Sequence, residues 1–141
     1  MMPPEDIKRK LVGEWLAKAS ADMALAEHLL SDEAPFFNAI AFNCQQAAEK
    51  YLKALLTWWD AEFPKTHVLA TLIALIEKRN AELATSLLDV TALTPYGVEL
   101  RYPGDRPEAS PADAREAVLL ARKVRDAILP LLPNLGAGGS N

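Results

Sequence analysis

An all-α fold, an antiparallel up-and-down bundle of four to five helices, is what this sequence predicts, on three observations. Apolar residues recur at spacings of three and four along most of the chain, which places them on single helix faces. Nowhere is there sustained period-two alternation of the kind a half-buried strand requires. The breaks between periodic stretches are mostly short and carry helix start and stop residues, as expected for antiparallel neighbours.

The first helix is expected to begin near Pro4, because proline is tolerated in a first turn and Glu5 and Asp6 suit its positive end. Val12, Trp15, Ala19, Met23, Ala26 and Leu30 keep one of its faces apolar. Ser31-Asp32-Glu33-Ala34-Pro35 interrupts the pattern, and a second helix follows from about Phe36 to Trp59. Ile40, Cys44, Ala47, Tyr51, Leu55 and Trp58 share one side of it. Asn43, Gln46, Lys50, Lys53 and Thr57 form a second, polar stripe, and Glu49 precedes Lys53 in the favourable direction for a helical ion pair. Asp60 to Lys65, with Pro64, is a connector, and Thr66 is the expected N-cap of a third helix carrying Leu69, Leu72, Ile73 and Ile76. After a break at Arg79-Asn80, a fourth helix is expected over roughly Ala81 to Leu93. Pro95, Gly97, Pro103, Gly104 and Pro107 make residues 95–110 a loop, the segment where function is expected. Ser110, Pro111 and Asp113 then start a last helix as cap, first position and capping box. Ala114, Ala117, Ala121, Val124 and Ile128 give that helix a narrow face suited to close packing. Residues 1–133 read as one domain and 134–141 as a disordered tail.

With 141 residues, half of them apolar and 24% charged, the chain can bury a core without disulfides or metal. A net charge of -4 argues against a surface that coats nucleic acid, while leaving room for a local basic pocket. The single cysteine, Cys44, lies on an apolar stripe and reads as a buried, inert thiol. One cysteine and two distant histidines do not make a zinc site, and no cofactor is expected. No apolar run approaches the roughly 20 residues needed to span a bilayer, and no apolar signal core follows Met1. The expectation is a cytoplasmic protein without membrane attachment.

Three segments occur in a telling order: Gln45-Gln46-Ala47-Ala48-Glu49-Lys50-Tyr51-Leu52-Lys53-Ala54-Leu55-Leu56, then Thr66-His67, then Arg101-Tyr102-Pro103. Together they resemble the HEPN domain family, helical proteins often found beside minimal nucleotidyltransferases. The likeness runs from about Trp15 to Leu132 and independently implies a helical bundle. It also implies a homodimer, a separately encoded minimal nucleotidyltransferase as partner, and a nucleotide or RNA ligand. Ribonucleases of the family carry an arginine followed, after four intervening residues, by a histidine. Arg101 fills the first position, but Arg106 stands at the second. A guanidinium stays protonated and cannot accept the proton of a 2′-hydroxyl near neutral pH. The resemblance therefore implies a binding module that does not catalyse, with a metal-independent ribonuclease toxin and a purely structural dimer as alternatives.

The candidate ligand-binding residues are Gln46, Lys50, Lys53, His67, Arg101 and Tyr102. Gln46, Lys50 and Lys53 admit three readings: a solvated helix face, a dimer seam, or a phosphate pocket completed by Arg101 with Tyr102 stacking on a base. Arg101 and Tyr102 equally suit a role in pinning the loop to the bundle. His67, just inside a helix start, is either a packing residue or a displaced proton acceptor. Asp22, beside the apolar stripe of the first helix, is expected to pair with one of the lysines. His28 reads as a surface residue. Trp15 and Trp58 fall on core stripes, whereas Trp59 is a candidate for a partner surface.

Overall fold

The protein is described by a computed structural model over residues 4–97 and 108–135. Five α-helices form a bundle: α1 Glu5–Ser31, α2 Phe37–Trp58, α3 Leu69–Glu77, α4 Ala81–Ser86 and α5 Pro111–Ile128. Two 3₁₀ segments, Leu88–Gly97 and Leu129–Leu131, follow α4 and α5. No strand occurs among the described residues, and none of the described helices is long and apolar enough to cross a membrane.

Helix α2 is the axis of the domain. It packs most extensively against α1 and α5 and also touches α3 and the longer 3₁₀ segment. Because neighbours surround it, burial extends beyond its apolar stripe to Ala48, Leu52, Ala54 and Leu56. The α1–α2 pair is antiparallel. Lys8 bonds Asp60 just past the end of α2, Trp15 meets Lys53, and Asp22 pairs with Lys50. Helix α5 is also antiparallel to α1, since Glu27 meets Arg122 and Arg9 donates to the Asn134 carbonyl. The Ala109 N–H bonds the Asn38 side chain at 2.7 Å, so α5 sets out from the end of the bundle where α2 begins. Apart from Trp58, every core position expected on α2, α3 and α5 is buried, including Ile40, Cys44, Ala47, Leu55, Leu72, Ile76, Ala121 and Ile128.

Boundaries differ from expectation where local hydrogen bonding outweighs pattern. Thr66 is not the cap of α3; its hydroxyl accepts from the Val68 N–H, and Val68, in extended conformation, precedes the helix. That turn places His67 outside the helix, on the connector. Asn80 is the cap of α4, its side chain accepting from Leu83. The expected fourth helix is α only to Ser86, then 3₁₀ as far as Gly97 with Pro95 inside it. The expected loop thus starts later than residue 95. At Ser110 the full capping box forms with Asp113, as the residue types require. The expected tail opens with Asn134 and Leu135 held against α1 at Arg9 and Gly13.

Both α1 and α2 end in a left-handed residue that is not glycine, Glu33 (φ 55°) and Asp60 (φ 59°). Each end is closed by bonds reaching back across the last turn, Ala34 to Leu29 and Ala61 to Leu56. Asp60 gains a partner in Lys8 at 3.0 Å, which ties the end of α2 to the start of α1. Trp58 is only half-buried, with Lys8 4.5 Å and Arg9 5.4 Å from its ring centroid. Trp59, expected at a partner surface, packs partly on the core with Arg79 over its ring at 4.9 Å.

Candidate functional site

Gln45, Glu49 and Lys53 stand one turn apart on the flank of α2 that faces α1 and the connector before α3. Among the described residues they are the buried polar and charged members of the core. Lys53 Nζ lies 2.7 Å from Glu49 Oε2, with side-chain exposures of 8% and 5%. Trp15 and Phe63 enclose the ammonium at 5.5 and 5.9 Å from their centroids, their own rings 6.3 Å apart. The aromatic faces replace part of the water that Lys53 gives up.

The other carboxylate oxygen serves two donors. Glu49 Oε1 receives Gln45 Nε2 at 3.2 Å and lies 2.9 Å from His67 Nδ1. Gln45 Nε2 also bonds the His67 carbonyl at 3.0 Å, while Gln45 Oε1 accepts from Gln46 at 2.7 Å. Both the backbone and the ring of His67 are thereby fixed to α2, yet its side chain remains 63% exposed. Burial, the largest single influence on Glu49, favours its neutral form. Bonds from Lys53, His67 and Gln45 outweigh it and hold the carboxyl below its usual range.

Gly97 closes this array on another side. A β-carbon at that position would overlap the Gln45 amide, with the amide nitrogen only 2.7 Å away. Just beside it, Thr94 Oγ1 accepts from the Leu69 N–H at 3.2 Å and secures the 3₁₀ segment to the first turn of α3. The polypeptide thus leaves the described structure at Gly97 against Gln45 and re-enters next to Asn38, both on α2.

The sequence-predicted site residues separate into groups. Gln46, Lys53 and His67 meet through Gln45 and Glu49. Lys50 points elsewhere and pairs with Asp22 of α1 at 2.7 Å, the pairing expected for that acid. Both lysines consequently have a carboxylate partner. Arg101 and Tyr102, together with Arg106, lie outside the described residues. His28 is exposed and sits 3.2 Å from Asp32. Cys44 is fully buried, and burial, with Glu27 nearby, pushes its thiol up to about 12. No group of metal-ligating side chains occurs among the described residues.

Sequence reasoning missed Gln45 as the hub and took Lys53 for part of a polar stripe. A signal was present. Lys53 is flanked in sequence by Leu52, Ala54, Leu55 and Leu56, which marks the second half of α2 as apolar on more than one side.

An all-α bundle organised round one central helix, with a buried charged array opening at a single histidine, defines the class. The chain belongs to the HEPN domain family, whose profile matches residues 12–131. Its fold is similar to that of TT1696 from Thermus thermophilus, known from a crystal structure, with a TM-score of 0.71 and 24% identity. The alignment covers 86% of this chain and 98% of that one. No curated protein sequence matches.

Proposed function

We propose that this HEPN domain is a binding module for a phosphate-bearing nucleotide, held where the Gln45–Glu49–Lys53 array reaches solvent at His67, and that it does not turn its ligand over. One observation carries the reading: charged residues are buried on the central helix and emerge at an ordered, exposed imidazole. Packing alone does not call for them, since replacing a buried ion pair by well-packed apolar residues is often neutral or stabilising. A fixed histidine and a glutamine amide suit phosphate oxygens, and Lys53 keeps the Glu49 charge from repelling them. Lys53 acts here by neutralising Glu49 rather than by reaching the ligand. Arg101 is four residues past Gly97, a span of at most about 14 Å of extended chain. That span lets it reach toward His67 as a second phosphate contact, with Tyr102 offering a flat face to a base.

The test is calorimetric titration of ATP and GTP into the native chain and into Arg101→Ala and Lys50→Ala variants, with an RNA-cleavage assay alongside. A charge-assisted contact is worth about 1.5–3 kcal/mol, so Arg101→Ala is expected to weaken binding about tenfold or more. Lys50→Ala, which breaks the pair with Asp22, is expected to matter less. Equal affinity in all three proteins would remove Arg101 from the site. Metal-independent cleavage of RNA abolished by Arg101→Ala would replace the binding reading with the ribonuclease one.

By family relation the proposed macromolecular partner is a separately encoded minimal nucleotidyltransferase, met by a homodimer of this chain. Phe36, Phe42 and Leu119 are large apolar side chains left exposed, Phe36 to 56%, and they support pairing. Sedimentation at micromolar concentration should show twice the 15.4 kDa chain mass; a monomer alone counts against it.

A further inference from the structure

We infer that ligand binding at this site is coupled to protonation of His67, so that a phosphodiester is held by the imidazolium and released as the ring loses its proton. The inference rests on the binding reading above and adds the state of the ring that does the binding.

The geometry settles the tautomer. Glu49 Oε1 can only accept while the carboxylate is ionised, so the His67 Nδ1 at 2.9 Å carries a hydrogen. Of the two ring nitrogens, Nε2 remains, with no partner among the described residues, on a side chain 63% exposed. In the neutral ring Nε2 presents a lone pair, which repels a phosphate oxygen. In the protonated ring it presents an N–H, and the ring adds a positive charge to a carboxylate–ammonium pair that is otherwise neutral. Phosphate and proton therefore assist each other, and each must raise the affinity for the other by the same factor.

The surrounding charges fit this assignment. From α2, the Glu49 carboxylate touches the ring through one oxygen and holds Lys53 on the other. Lys50 is neutralised by Asp22 of α1. The connector contributes Lys65, two residues before the ring, and Gly97 adjoins through the Gln45 amide, bringing no charge. The ring itself cannot swing away without giving up the Glu49 bond, because Gln45 fixes the His67 carbonyl at the same time. Glu49 and Gln45 are positioning residues, and His67 is the contact.

The probe is the diribonucleotide ApA, whose single phosphodiester keeps one charge between about pH 5 and 8, so that any pH dependence belongs to the protein. Its affinity should rise as pH falls through the His67 titration, by up to about tenfold per pH unit. Calorimetry in buffers of different ionisation heat should register proton uptake, and nitrogen NMR should show the His67 titration moving to higher pH when ApA is bound. His28, exposed on α1 and paired with Asp32, serves as the internal control and should not move. In His67→Gln the affinity should become flat with pH. Binding of ApA with no pH dependence and no proton uptake would overturn this inference while leaving the binding reading intact. Absence of ApA binding at every pH would overturn this inference, and the ATP and GTP titrations decide the binding reading separately.

Discussion

Replacing Glu49 by alanine is expected to cost the domain about 3–5 kcal/mol, measured as a fall in the urea midpoint at unchanged slope. The loss is not that of a surface ion pair. Lys53, 8% exposed and closed in by Trp15 and Phe63, would be left buried without its counterion. Gln45 and His67 would lose their shared acceptor as well. The double replacement Glu49→Leu with Lys53→Met should recover most of the stability, because it removes both charges and fills the same space. A single-variant cost below about 0.5 kcal/mol, as for surface sites, would show that the array is not buried in solution. The pH dependence has a definite sign. Glu49 is held below its usual value in the folded protein. Its contribution is therefore complete above the unfolded carboxyl range and disappears as pH falls through the lower, folded value.

Gly97→Ala is the second large effect, expected to cost about 1–3 kcal/mol by crowding a packed site. The added methyl would meet the Gln45 amide, which is fully buried and bonded to Glu49, the His67 carbonyl and Gln46. Such a side chain cannot yield as a surface terminus would. Combining Gly97→Ala with Gln45→Ala should cost less than the two separately, since the second change clears the space that the first one needs. Strict additivity in thermal or urea unfolding would mean that the two residues do not touch.

Much of the fold is legible in the sequence because helix periodicity and burial coincide on α1, α2 and α5. Ser110 and Asp113 even fix the start of α5 to the residue. At the start of α3 and the end of α4 the pattern misleads, because more than one backbone conformation suits the local residues: Thr66 bonds the Val68 N–H without capping α3, and Pro95 is taken into a 3₁₀ segment. Only tertiary contacts, such as Thr94 to Leu69, select among them. The site is legible in its parts and not in its partnerships. Gln46, Lys53 and His67 all stand out, and the Glu49–Lys53 spacing announces an ion pair. Spacing along α2 cannot reveal that the pair is enclosed, because the enclosing rings come from Trp15 on α1 and Phe63 on the connector. Nor can it place His67 against Glu49, which depends on how the connector turns back after α2.

The solitary Cys44 has a practical consequence. Its thiol is fully buried on the central helix, between the packed faces of the bundle, and resists ionisation. Alkylating reagents attack the thiolate, so they can act only when the bundle opens. The chain therefore carries a built-in clock for its own breathing. The rate at which a maleimide labels the native protein counts opening events at its centre without any engineered tag. Every variant described above can be ranked by that one reaction at physiological temperature, with no denaturant present.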